Sequence, residues 1–151
     1  ALLEDGAEYL SDEFAVVDAG GRVHPYARPL GLRRADGRVE RMRPEALGAR
    51  VSGPVPAGLV AFLRYRRDGR FEIVAATPGE ALLPLLVNTL EVRRRIETAS
   101  AVLRSVVTSA PAVRGVRGEA REAARRLAEL AREAVPLRAQ AGRTTPTSVP
   151  G

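Results

Sequence analysis

The alternation of apolar and polar positions changes period several times along the chain, and each change marks an element. In "ALLEDG" an apolar turn gives way to acids and then to Gly6, where a left-handed cap residue closes a helix. One helical turn is not stable alone, so the opening reads as the end of an element whose earlier turns lie upstream, as in a fragment or truncated product. The pattern then becomes extended. "AEYLS" and "FAVVD" predict two short strands with the acidic pair Asp12 and Glu13 between them, and "DAGGR" predicts a glycine-rich turn. In "RVHPYARPLGLRR", Pro25 and Pro29 forbid helix and suit an edge strand or surface loop. "ADGR", residues 35–38, predicts another turn. Residues 39–58 hold three prolines and three glycines with weak periodicity and read as an irregular connector.

Beyond residue 58 the signals are stronger. "LVAFLRYR" and "RFEIVAA" flank Asp68 and Gly69, a dipeptide suited to positive φ, and predict a β-hairpin. Thr77, Pro78, Gly79 and Glu80 form a capping box with proline at the first helical position, so a helix starts there. It is apolar almost all round through Val87, which predicts burial, and Pro84 inside it predicts a kink or an early end. Ile96, Ala99, Val102, Leu103, Val106 and Val107 share one helical face that stops at Pro111. A third helix is predicted from about Glu119 to Ala134, with Ala120, Ala123, Leu127, Leu130 and Ala134 as its apolar stripe. Glu122 with Arg126, and Arg125 with Glu129, would form exposed pairs on it. "AVRGV" between the last two helices has the make-up of a short strand. From Pro136 onward periodicity is lost among Thr, Pro and Gly, which predicts a folded region over 1–134 and a disordered tail over 135–151.

Composition narrows the chemistry. A chain of 151 residues with 45% hydrophobic content can bury one core. Its longest apolar run, "ALLPLLV", is far short of the roughly 18 residues of a membrane span, and no signal peptide is readable, so a cytoplasmic protein without a membrane partner is expected. There is no cysteine, hence no disulfide and no thiolate metal site, and the lone His24 excludes multi-histidine zinc sites. All 24 basic residues are arginine. Schiff-base chemistry, amine nucleophiles and a phosphate-loop lysine are therefore absent from this sequence. The net charge of +6 raises the possibility of nucleic-acid binding, but arginine alternates with glutamate in "GEAREAARRLAELARE", the mark of a solvated mixed-sign face.

The stretches "ALLEDGAEYLSDEFAVVD" and "PYARPLGLR", followed by a hairpin running into "TPGEALLPLLVNTLEVRRR", resemble the part of HPr kinase-like P-loop proteins downstream of the phosphate-binding loop. The likeness spans residues 1–134 in order, and "YLSDE" is similar to the Ala-Asp-Asp strand-end motif of HPr serine kinases. The resemblance implies an α/β domain of P-loop type, with short strands and a hairpin followed by about three helices. Its intact parent would use ATP and Mg²⁺ to phosphorylate a Ser or Thr hydroxyl of a protein or peptide. Asp12 matches the family's catalytic base and metal-side acid. Glu13 stands where the family has a second Asp and would be a metal ligand with a longer arm. The family's downstream glycine-rich signature has no clear counterpart in "RPLGLRR".

On spacing alone Asp12 and Glu13 read as a solvated turn; at a strand end they would point into the crevice where α/β sheets bind ligands, as hard oxygen ligands beside a hydroxyl. Arg28 and Arg33 are candidates to reach phosphates. No "GxxxxGK[ST]" occurs, so a phosphate cradle is missing from these residues and the chain alone is expected to be inactive. His24, beside Pro25 and Tyr26, reads as a strand-edge histidine or a groove residue, and "GVRG", residues 115–118, as a helix-start turn before a KH-type clamp. The alternatives are a non-catalytic interaction module that kept the scaffold and a basic nucleic-acid binder. Uncovered strand faces also leave a homo-oligomer open.

Overall fold

The computed structural model describes residues 1–34, 36–51, 53–90 and 92–141, over 135–141 as backbone alone. The first residues form one helical turn closed by a Schellman motif. Gly6 (φ 86°) donates to the Leu3 carbonyl at 3.1 Å and Ala7 to the Leu2 carbonyl at 3.0 Å, which is the cap expected of a glycine at that position.

The N-terminal half is built of short strands. Strands β1 (Val16–Val17), β2 (Arg22–His24) and β5 (Val55–Pro56) form an antiparallel sheet in the order β1-β2-β5, while β3 (Leu30–Arg33) and β4 (Val39–Met42) pair as a separate ribbon. A 3-10 turn, Pro44–Leu47, follows β4. Two expectations are corrected here. Residues 39–58 are not an irregular connector, because the turn at Asp36 and Gly37 (φ 83°) folds "VERM" back onto "LGLR" in full register from Leu30↔Met42 to Arg33↔Val39. "AEYLS" is not a strand: among the described residues Tyr9 makes only an isolated parallel bridge, to Val51.

The C-terminal half contains β6 (Val60–Tyr65), β7 (Glu72–Ala76), helices α1 (Pro78–Val87) and α2 (Ile96–Ser109), strand β8 (Ala112–Arg117) and helix α3 (Ala120–Ala141). The predicted hairpin is a further correction. Asp68 takes positive φ (57°) and Gly69 closes a turn onto the Arg66 carbonyl at 3.0 Å, yet β6 and β7 do not pair. Strand β8 lies between them, parallel to β6 and antiparallel to β7, so the order is β6-β8-β7. Gly115 permits this close fit, since a Cβ there would lie 2.9 Å from the Ile73 Cα and closer still to the Glu72 carbonyl oxygen.

Ala81 of α1, Val107 of α2 and Ala112 of β8 form the centre of the core, with Val60, Phe62, Ala76, Leu82 and Leu85 packed around them. On α3, Ala123, Ala124 and Ala134 are buried, and Phe71 and Ile73 share a cavity with Leu130. Strands in small sheets with helices packed on them make this an α/β fold, as the sequence leads one to expect. Four details differ. Helix α1 is not buried all round, since only Ala81 is fully enclosed while Leu83 and Val87 face outward. It also runs one turn beyond Pro84. Helix α3 continues through Pro136 to Ala141, because a proline removes one hydrogen bond without removing the turns after it, and residues 142–151 of the expected tail lie outside the described residues. On α3 the ion pair joins Arg126 to Glu129 at 3.4 Å, three residues apart instead of four.

Candidate functional site

Tyr9 anchors the site. The residue is 4% exposed, its backbone N–H donates to the Arg50 carbonyl at 2.7 Å, and its hydroxyl donates to the Arg28 carbonyl at 3.0 Å. Tyr26 N–H reaches the Leu10 carbonyl at 2.8 Å. These bonds hold the segment 26–28 against the segment that leads into the acidic pair. After Leu10 the chain bends, and Ser11 Oγ accepts from the Phe14 N–H at 3.4 Å. Asp12 and Glu13 therefore sit on a bend between the Tyr9 bridge and β1, exposed, and not at the end of a strand.

The bend faces the β3–β4 ribbon across a cavity of about 160 Å³ whose lining includes Asp12, Glu13, Phe14, Tyr26, Arg28 and Arg41. Successive residues of a strand alternate faces, and the register sets Gly31 opposite Arg41 and Arg33 opposite Val39. Gly31, Arg33, Val39 and Arg41 thus share one ribbon face. Gly31, Val39 and Arg41 reach the cavity, while Arg33 is not part of its lining. Three of the four residues singled out from sequence come together, Asp12, Glu13 and Arg28, and Arg41 takes the place expected of Arg33. Arg41 went unrecognised because residues 39–58 read as irregular. The signal was the Asp36–Gly37 turn set between "LGLR" and "VERM".

The local electrostatics follow from the geometry. Burial pushes the Tyr9 hydroxyl pKa up, and the negative charge of Asp12 adds to the effect. The Arg28 guanidinium lies 6.0 Å from the Tyr26 ring centroid, at the limit of a cation–π contact. His24 lies outside the cavity. Its Nε2 meets Asp18 Oδ2 at 2.7 Å, while Asp18 Oδ1 accepts from Gly20 and Arg22 N–H groups at 2.9 Å each. The bond from His24, followed by that from Arg22, holds the Asp18 carboxyl below its ordinary pKa. His24 is a clasp on the β1–β2 turn.

Among the described residues no three His, Asp or Glu side chains converge as a metal cage. Asp12 and Glu13 offer two hard oxygen donors. That set fits magnesium in its usual protein mode, one or two carboxylates with phosphate oxygens and water completing the shell. A nucleotide does not fit here: the cavity is well below the roughly 300–1,000 Å³ of typical ligand pockets, and the sequence has neither lysine nor a phosphate loop.

No protein-family model matches the chain, and neither a curated protein nor a solved structure matches it. Among the described residues no helix is long and apolar enough to cross a membrane.

Proposed function

We propose that the cleft between the Ser11–Phe14 bend and the β3–β4 ribbon is the acceptor side of a phosphoryl-transfer site, acting on a Ser or Thr hydroxyl of a protein or peptide in a cytoplasmic setting. The observation that carries this reading is the meeting of Asp12 and Glu13 with Arg28 and Arg41 around one cavity. Carboxylates and guanidiniums suit the opposite partners of such a reaction. In this reading Asp12 accepts a hydrogen bond from the acceptor hydroxyl and takes its proton as that oxygen attacks the terminal phosphorus of the nucleotide and the bond from phosphorus to the departing nucleoside diphosphate breaks. Arg28 and Arg41 supply planar donors for phosphate oxygens. Magnesium, when bound by Glu13 and Asp12, would neutralise phosphate charge. The sequence offers no nucleotide cradle, so the likeness to HPr kinase-like proteins supports the acceptor side alone.

The test uses a chain joined upstream to a phosphate loop and active in transfer. There Asp12→Asn lowers phosphoryl transfer by about two to four orders of magnitude, the usual share of a positioned general base, with nucleotide affinity nearly unchanged. Glu13→Gln chiefly raises the magnesium requirement. Unchanged transfer in Asp12→Asn would make the pair a solvated turn and end the proposal.

A further inference from the structure

Helix α1 gives the core Ala81, Leu82 and Leu85 and keeps other large apolar side chains outside. Leu83 is 67% exposed and Val87, one turn later on the same face, 75%. Leu90 follows at 78% exposure and Ile96, at the start of α2, at 53%. Single exposed apolar residues are ordinary, but four large ones on α1, the segment after it and the start of α2 are more than scatter. Between Leu90 and Ile96 the chain sets Arg93, Arg94 and Arg95, all exposed and, among the described residues, without an ion-pair partner.

We infer that this surface docks an amphipathic helix of a partner protein, with apolar side chains meeting Leu83, Val87, Leu90 and Ile96 and acidic residues meeting Arg93, Arg94 and Arg95. Charge decides the partner. A second copy related by a two-fold axis would bring the same arginine triplet into the same interface twice, which like-charge repulsion opposes. An anionic lipid surface would match the arginines but would also meet Glu97, exposed in the first turn of α2. A partner helix can answer both signs, since charges of either kind can be placed beside its apolar stripe.

Two labelled synthetic helices test the inference by fluorescence anisotropy. Both carry a leucine stripe at helical spacing, one with Glu and the other with Lys along its flanks. The Glu-flanked helix is expected to bind at least about tenfold more tightly, and Leu83→Gln with Val87→Gln to weaken that binding at least about tenfold, as loss of central apolar anchors does. Because both side chains are exposed, the melting curve of this variant should match that of the parent. Arg93→Glu, Arg94→Glu and Arg95→Glu together should reverse the preference between the helices. Equal binding of the two helices, or binding of neither, overturns the inference. So does sedimentation showing a dimer that Leu83→Gln dissolves, or attachment to phosphatidylserine vesicles that the same substitution abolishes.

Discussion

At the scale of single residues Tyr9 matters more to the cleft than its place in the sequence suggests. Its hydroxyl holds the carbonyl of Arg28, a residue whose side chain lines the same cavity as Asp12. Tyr9→Phe removes this bond and should lower stability by about 1 kcal/mol, or up to about 3 if the carbonyl finds no water. The pH dependence has a definite sign. Burial raises the folded-state pKa, so the contribution of Tyr9 is complete below the unfolded pKa, near 10, and is lost as pH rises through the higher folded value. The melting-temperature gap between the parent and Tyr9→Phe should hold from neutral pH to about 9 and shrink above about 10. A gap constant to pH 11 would show that the hydroxyl is not protected. Asp12 and Glu13 stood out through the likeness of "YLSDE" to a kinase motif and Arg28 as an arginine able to reach phosphate; that the three line one cavity depends on the fold. Arg41 did not stand out, because its position depends on a turn that brings it across from Gly31.

Among elements, local chemistry was legible and partner choice was not. The capping box at the start of α1 forms as its residues require, with Glu80 N–H donating to Thr77 Oγ1 at 3.3 Å and Thr77 N–H donating to Glu80 Oε2 at 2.8 Å. The bond from Thr77 N–H, followed by that from its hydroxyl, holds the Glu80 carboxyl below its ordinary pKa. Thr77→Ala should cost about 1 kcal/mol, read as a lower urea midpoint at unchanged slope; an unmoved midpoint would mean that packing alone fixes the start of the helix. The Asp68–Gly69 turn was equally readable and takes its expected conformation, yet the hairpin inferred from it is absent. A dipeptide sets the path of its own backbone, whereas the ladder between β6 and β7 is taken by β8 from a distant part of the chain. The strand expected in "AEYLS" fails for a related reason. Its residues favour extended structure, but only Tyr9 finds a strand-like neighbour. Burial of α1 differs from expectation because a helix apolar on every side looks enclosed even where, as at Leu83 and Val87, its outer face is exposed.

For the whole molecule, charge is the property that composition describes least well. Part of the basic charge is answered locally, since Arg34, Arg38, Arg114, Arg121 and Arg126 each face a carboxylate, from Glu40, Asp36, Glu80, Glu4 and Glu129. Binding to single- or double-stranded nucleic acid should therefore be weak and blind to sequence, and should vanish near physiological salt. Sub-micromolar affinity retained there in a salt titration would establish a nucleic-acid surface instead. The β6-β8-β7 order also bears on how the chain is made. Strands β6 and β7 are complete with residues 77–111 still to be synthesised, and neither has its native ladder partner until β8 emerges. In that interval the Asp68–Gly69 turn holds two neighbouring strands in position to pair with each other. The nascent chain must keep that short-range hairpin weak enough to open, so that β8, made well after both, can enter at the centre of the sheet.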